Sequence, residues 1–238
     1  MHGTGIVVTG AAGGIGAALA ERFVREGARV VVNDLDETRT KEAAERTGAL
    51  PVWGDASTVV DAARDALGGT VDTWCANASL TSPGTEEAEE EIWAAAWDVN
   101  VMAHVRAARA LLPGWLERGH GRFVSTVSAA GLLTMIGAAP YSVSKHGAYA
   151  FAEWLSLTYR HRGLKVHAIC PQGVRTDMLT AAGSAATWSS PPRPSTPRTS
   201  PTPSSRASPR TASSSFRTPR SPGTTRPAPR TPSAGSAP

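Results

Sequence analysis

The chain has 238 residues, of which 41% are hydrophobic and 18% are charged, and its formal net charge at neutral pH is +4. Eight arginines and no acidic residue lie between positions 184 and 238, so the first 183 residues carry a formal net charge of −4. The basic sequence pI of about 9.5 therefore reflects the C-terminal stretch, which excludes a strongly basic folded body.

Residues 1–183 are numerous enough to form one α/β domain around a single core. The two cysteines, Cys75 and Cys170, are far apart and have no metal-ligand spacing, so we expect buried thiols in a reducing cytoplasm. The apolar segment 6–9 is far too short for a signal peptide or a membrane span. The sequence thus predicts a cytoplasmic domain with no metal and no membrane contact.

Short β-branched runs alternate with longer helical patterns along this body, which is typical of a doubly wound parallel sheet, the Rossmann fold. The predicted strands are 5–9, 28–33, 50–53, 71–75, 121–127 and 165–170. The predicted helices are 15–26, 37–47, 58–67, 86–117 and 141–162. We therefore expect a single α/β domain over residues 1–183.

A glycine-rich loop with the sequence TGAAGGIG, at residues 9–16, follows the first predicted strand and opens the first predicted helix. Gly10 permits the turn, Gly14 permits close approach of a pyrophosphate, and Gly16 permits packing of the helix on the sheet. The first helical amides, including that of Ile15, would face the phosphates. The loop predicts dinucleotide binding, and a simple tight turn is the alternative.

The second predicted strand ends in Asn33-Asp34. A carboxylate at this position can accept hydrogen bonds from ribose hydroxyls and repels a 2′-phosphate. No basic residue occupies positions 11–13, and Leu35 follows the aspartate, so the sequence favours NAD over NADP. The alternative for Asp34 is an N-cap of the helix that begins near Glu37.

Tyr141 and Lys145 are four residues apart on the last predicted helix, so they share one helix face. An ammonium beside a phenol favours the phenolate, and we expect it to lower the tyrosine pKa. Ser128 ends a predicted strand, and Asn100 lies inside a predicted helix although asparagine is a poor helix former. The set predicts acid–base chemistry more strongly than any one member does.

These motifs, in the order glycine loop, Asn, Ser, Tyr and Lys, resemble the short-chain dehydrogenase/reductase family over roughly residues 3–180. The resemblance implies hydride transfer between a nicotinamide cofactor and a carbonyl or secondary-alcohol carbon. It implies that Tyr141 transfers the proton, that Ser128 polarises the substrate oxygen, and that Lys145 stabilises the phenolate and contacts the nicotinamide ribose. It also implies that Asn100 bends its helix and holds a water that connects the lysine to solvent.

The resemblance implies further cofactor contacts. Asp55 would meet the adenine, with an ordinary helix cap as the alternative. Asn77 and Ala78 would lie near the adenosine ribose. The sequence at 76–79 is Ala-Asn-Ala-Ser, whereas the family usually has Asn-Asn-Ala-Gly there. The alternative is an ordinary polar loop after a strand. Val174 and Thr176 would orient the nicotinamide carboxamide. Helices 86–117 and 141–162 form a four-helix contact in relatives, so we expect a homo-oligomer, a dimer or tetramer, acting on a small-molecule substrate.

The segment 184–238 consists of Ser, Ala, Thr, Pro, Arg and Gly apart from Trp188 and Phe216, so we expect a disordered low-complexity tail. Its composition fits a shifted reading frame in a GC-rich gene. Translating the gene in all frames would test this hypothesis. Two alternatives for the whole chain stay open. One is a truncated product or sensor that binds NAD without turnover, and the other is unspecific binding of nucleic acid by the arginines of the tail.

Overall fold

The computed structural model describes residues 1–172. The predicted contacts at Val174 and Thr176, and the predicted tail at 184–238, lie outside the described residues. Six parallel strands form one sheet in the order β3-β2-β1-β4-β5-β6. They are β1 (Gly5–Thr9), β2 (Arg29–Asp34), β3 (Leu50–Trp53), β4 (Thr73–Ala76), β5 (Gly121–Thr126) and β6 (Leu164–Ile169). This order confirms the predicted doubly wound Rossmann fold, and it places a crevice where the order reverses between β1 and β4.

Helices cover both faces of the sheet. They are α1 (Gly14–Arg25), α2 (Glu37–Thr47), α3 (Val60–Ala66), α4 (Glu90–Trp97), α5 (Ala103–Arg118) and α6 (Ala139–Tyr159). A π-helical turn, Asp98–Met102, joins α4 to α5, and short 3₁₀ turns occupy Ala129–Gly131 and Arg160–Arg162. No helix within residues 1–172 is both long and apolar enough to cross a membrane.

Two apolar layers enclose the sheet, because successive residues of each strand point to opposite faces. Ile6 and Val8 pack in one layer with residues of α1 and α2. Val7 and Phe123 pack in the other layer with residues of α3, α5 and α6. Burial on both faces fixes the strand register, and with it the positions of the side chains that follow the strand ends.

The predicted element bounds agree with the structure to within about three residues, except in the helix predicted at 86–117. That helix begins at Glu90 and is interrupted by the π-helical turn. The side chain of Asn100, which lies inside this turn, is fully buried and bonds to groups outside its own helix. These long-range bonds hold the Asn100 side chain where the helix is interrupted.

Candidate active site

The glycine-rich loop leaves no room for side chains at two of its positions. Gly10 has φ +61°, and a Cβ there would lie 2.7 Å from the Cα of Ala78. A Cβ on Gly16 would lie 2.4 Å from the carbonyl oxygen of Gly10. Gly14, at the start of α1, also has a positive φ, of +56°. The backbone conformation therefore requires glycine for the turn and the close helix packing, as predicted.

Asn77 and Thr9 hold this loop against the end of β4. The Asn77 side-chain amide donates to the carbonyl oxygens of Thr9 (2.9 Å) and Gly10 (3.1 Å). The Thr9 hydroxyl accepts from the backbone amides of Asn77 and Ala78, each at 3.0 Å. Asn77 thus shapes the crevice from behind the loop. Thr9 was missed in the sequence because a threonine inside a β-branched strand gives no separate signal.

Asp34 lies at the end of β2 beside the glycine-rich loop. Its Oδ2 accepts from the amide of Ala12 at 3.0 Å, and its Oδ1 accepts from the amide of Leu35 at 2.9 Å. Asp36 caps α2 instead, because its Oδ1 accepts from the amide of Arg39 at 2.8 Å. The alternative interpretation of Asp34 as the helix cap is therefore wrong. Each Asp34 oxygen retains a lone pair that can accept a further hydrogen bond.

Asp55 follows β3, and its Oδ1 accepts from the amide of Ser57 at 2.7 Å, a turn-stabilising bond of the capping kind. Asp55 also lines the crevice, so both interpretations of this residue remain compatible with its position. Among the described residues, no group of three or more His, Cys, Asp or Glu side chains is arranged for a metal ion.

The crevice has a volume of about 430 Å³. Ten of the predicted cofactor and catalytic residues line this crevice: Gly10, Gly14, Ile15, Asp34, Asp55, Asn77, Ala78, Ser128, Tyr141 and Lys145. Within residues 1–172, the two predicted residues that do not line it are Gly16 and Asn100, which lie behind its wall. Two of its lining residues carry buried polar atoms without a partner in residues 1–172, Asn33 Oδ1 and Thr126 Oγ1. A dinucleotide fits the crevice because the glycine-rich loop and the first amides of α1 can receive its phosphates, and Asp34 can accept hydrogen bonds from a ribose.

Tyr141, Lys145 and Ser128 converge at one end of this crevice. The hydroxyl group of Ser128 faces that of Tyr141 and acts to lower the tyrosine pKa. The amine of Lys145 donates to the carbonyl oxygen of Thr126 at 3.0 Å and lies 5.7 Å from the centre of the Tyr141 ring. The helical spacing therefore places the amine and the phenol on the same side of α6, as predicted.

The pKa values differ from the expectation that Lys145 lowers the pKa of Tyr141. Burial raises the pKa of Tyr141, and the hydroxyl of Ser128 offsets only part of this effect. Burial also lowers the pKa of Lys145 to about 7. Burial of both groups disfavours their charged forms, and this is the physical reason for the difference.

Asn100 organises the wall of the crevice through four hydrogen bonds. Its Oδ1 accepts from the Leu80 amide (2.9 Å) and the Ser79 hydroxyl (3.0 Å), and its Nδ2 donates to the Leu80 carbonyl (3.0 Å) and the Ser144 hydroxyl (2.9 Å). Ser144 in turn donates to the carbonyl oxygen of Tyr141 at 2.9 Å. The side-chain amide of Asn100 has no donor or acceptor left for a water.

The short turn after β5 carries two features that the sequence did not reveal. Ser128 has φ +129°, a conformation that L-residues rarely adopt, and its Oγ accepts from the amide of Ala130 at 3.1 Å. A Cβ on Gly131 would lie 2.7 Å from the carbonyl oxygen of Lys145. The turn therefore presses directly against α6, which sets the spacing between Ser128 and the Tyr141 side chain.

Comparisons with known proteins agree with this geometry. The family model described as short chain dehydrogenase matches residues 4–186. A 1-deoxy-11-beta-hydroxypentalenate dehydrogenase from Streptomyces exfoliatus is 37% identical over 188 residues, covering 73% of this chain and 68% of the relative. A 3-oxoacyl-[acyl-carrier-protein] reductase from Vibrio cholerae is 30% identical over 190 residues, covering 76% and 78%. A crystal structure of an actinorhodin polyketide ketoreductase variant with NADPH superposes with a TM-score of 0.72 and 31% identity, covering 78% and 77%.

Proposed function

Because the chain belongs to the short-chain dehydrogenase family, we propose that it transfers a hydride between NAD(H) and a carbonyl or secondary-alcohol substrate, with Tyr141 as acid and base. One observation carries this proposal. The side chains of Tyr141, Ser128 and Lys145 line the same crevice as the glycine-rich loop. Acid–base catalysis and cofactor binding would therefore meet at one place.

The nicotinamide, when bound, would supply or accept the hydride, and the chain's own residues would handle the proton. Tyr141 transfers the proton to or from the substrate oxygen, while Ser128 donates a hydrogen bond to that oxygen as negative charge develops. Lys145, in its charged form, stabilises the phenolate of Tyr141. Asn100 positions the wall of the site, and any water that relays protons from Lys145 would be held by atoms other than the Asn100 amide group.

The preference for NAD over NADP is part of this proposal. The Asp34 carboxylate is fixed by two backbone amides at the edge of the crevice, where it would repel the 2′-phosphate of NADP. No cation occupies positions 11–13 or 35. Arg39, a cation, also lines the crevice, and the similar ketoreductase structure contains NADPH. The preference is therefore tested by measuring kcat/KM with NAD(H) and with NADP(H).

The substrate side favours a neutral, apolar carbonyl compound or alcohol. No charged residue occurs in residues 128–140, between the two catalytic hydroxyl groups. Leu132 and Leu133 are about half exposed, at 50% and 53%, and Ile136 is 95% exposed. An anionic substrate would find no cation in this segment, whereas an apolar one would cover these side chains.

We also propose a homo-oligomer formed through a second copy of the chain. Val143, Gly147 and Trp154 form a stripe along one side of α6, and Trp97 at the end of α4 packs beside Gly147. Val143, Trp154 and Trp97 are each about half exposed. An apolar stripe of this kind matches the four-helix contact that the resemblance implies.

The proposed function is tested by measuring turnover of a panel of cyclic and linear secondary alcohols and ketones with NAD(H) and NADP(H). We expect Tyr141→Phe to lower kcat/KM by about 10²- to 10⁴-fold without weakening cofactor binding. Tyr149→Phe, on the same helix, is the matched control and should retain activity. Cofactor binding without any turnover would instead support the second candidate, an NAD-binding protein without catalysis.

A further inference from the structure

We infer that Ser142 is a positioning residue for the substrate, because its hydroxyl fastens an apolar loop beside Tyr141. This apolar loop, residues 132–138, lies between the 3₁₀ turn Ala129–Gly131 and the start of α6. Ser142 follows Tyr141 in the first turn of α6 and is only 3% exposed. The consequence for substrate selection rests on the proposed function, whereas the contacts themselves do not.

Ser142 bonds to both backbone groups of one residue in the apolar loop. Its Oγ accepts from the Met135 amide at 3.0 Å and donates to the Met135 carbonyl oxygen at 3.3 Å. A hydroxyl can do both at once, because it has one O–H donor and two acceptor lone pairs. The side chain of Ser142 thus fixes the middle of the loop to the helix that carries Tyr141.

The side chain of Met135 turns inward from the loop. It packs against a small buried cluster that consists of Ala130, Ala138 and Tyr141. The other large apolar side chains of the loop remain outside, since Leu132 and Leu133 are about half exposed and Ile136 is almost fully exposed. Ser142 therefore sets where these three outer side chains stand relative to Tyr141.

A second contact holds the end of the same loop. The amide of Gly84, between β4 and α4, donates to the Gly137 carbonyl oxygen at 2.9 Å, and the Gly84 carbonyl oxygen accepts from the Ala139 amide at 2.8 Å. Gly84 has φ +134°, and a Cβ there would lie 2.9 Å from the Cβ of Ala88, so this position favours glycine. Because this contact does not involve Ser142, the loop end should stay in place when the Ser142 hydroxyl is removed.

A loop that is fixed in advance favours the substrates that cover it. If the middle of the loop is released, a bulky apolar substrate must order the loop as it binds, which weakens binding. A small substrate that reaches only the hydroxyls of Tyr141 and Ser128 does not depend on the loop. Ser142 should therefore raise the preference for bulky apolar substrates over small ones.

The contact itself is tested by amide hydrogen exchange, without cofactor or substrate. Ser142→Ala removes the acceptor of the Met135 amide, so we expect that amide to exchange at least about 10-fold faster. The Ala139 amide, which is bonded to Gly84, should keep its wild-type exchange rate. Ser156→Ala removes a hydroxyl from the same helix and is the matched control, with no change expected at Met135. An unchanged exchange rate of the Met135 amide in Ser142→Ala overturns the inference.

Substrate selection is tested with a homologous series of straight-chain methyl ketones, from acetone upward, and with NADH and NADPH. In Ser142→Ala we expect kcat/KM for the longest ketone to fall by about 10-fold through a higher KM, with kcat unchanged. The value for acetone, and the dissociation constant of the cofactor, should each change by less than about twofold. A loss of the same size for every ketone, or no loss at all, contradicts the positioning role, because a general disturbance of the fold acts on all substrates alike.

The two measurements separate this inference from the proposed function. If the wild-type enzyme reduces none of the ketones with either cofactor, the proposed function fails, whereas hydrogen exchange still decides whether Ser142 fixes the loop. If Ser142→Ala frees the Met135 amide but leaves the order of preference among the ketones unchanged, the proposed function stands and the positioning role of Ser142 is wrong.

Discussion

Ser128 combines a hydroxyl that we propose to be catalytic with an unfavourable backbone conformation. Among the described residues it is the one residue other than glycine with a positive φ, at +129°. Such a conformation costs an L-residue on the order of 1–3 kcal/mol. The surrounding turn maintains it, because Gly131 brings the 3₁₀ turn into contact with α6 and leaves the Ser128 hydroxyl facing Tyr141.

This strain predicts different effects for two substitutions that both remove the hydroxyl. Ser128→Gly relieves the backbone strain, whereas Ser128→Ala retains it, so we expect the glycine variant to be more stable by about 1 kcal/mol. Both variants lose the hydrogen bond to the Ala130 amide, which makes them a matched pair. Urea unfolding checks the difference, and both variants should lose activity. Equal stabilities would show that the backbone at Ser128 is not strained in solution.

The proposed preference for NAD over NADP can also be tested at single residues. We expect the combined substitution Asp34→Asn and Leu35→Arg to raise the ratio of kcat/KM for NADP⁺ to that for NAD⁺ by about 100-fold. The reason is that one change removes a repelling charge and the other adds a guanidinium that can bind a phosphate. Steady-state kinetics with both cofactors measures the ratio.

Asp36→Ala is the control for this experiment. It removes the cap of α2 and should lower stability by about 1 kcal/mol without changing the cofactor ratio. A wild-type protein that already prefers NADP⁺ would contradict the proposed role of Asp34.

At the scale of elements, the π-helical turn shows why part of the site could not be read from the sequence. The strands and the glycine-rich loop are predictable because β-branched runs and glycine spacing are local signals. The partners of Asn100, by contrast, are Leu80, which is 20 residues away, and Ser144, which is 44 residues away. The raised pKa of Tyr141 and the φ of Ser128 likewise depend on burial and packing that no local pattern encodes.

The hydrogen bonds of Asn100 predict a large effect for its removal. Asn100→Ala leaves the Leu80 amide and carbonyl without their side-chain partner, so we expect a loss of about 3 kcal/mol in unfolding free energy. Hydrogen exchange of the Leu80 amide should become faster in the same variant. Ser79→Ala removes one of the four bonds and should cost about 1 kcal/mol while leaving the Leu80 amide protected. An unchanged exchange rate at Leu80 in Asn100→Ala would refute the anchoring role.

At the scale of the whole molecule, α6 contributes residues to two surfaces, the crevice and an exposed apolar stripe. Its inner side carries Tyr141 and Lys145 into the crevice, and its outer side carries the apolar stripe of Val143, Gly147 and Trp154. A contact between two copies along this stripe would hold the helix that positions Tyr141 and Lys145. Assembly and activity are therefore expected to be coupled through α6.

This coupling predicts that a charge placed on the stripe dissociates the oligomer. Trp154 is 52% exposed and stacks on Phe151, with 6.3 Å between ring centres, so its outer surface is available to a second copy. A carboxylate buried in such a contact costs several kcal/mol, and we expect Trp154→Glu to raise the dissociation constant at least about 100-fold. Ile136→Glu is the control, because Ile136 is 95% exposed and lies off the stripe. Sedimentation velocity over a concentration series measures the assembly state, and a Trp154→Glu protein that sediments like wild type would rule out this face as the contact.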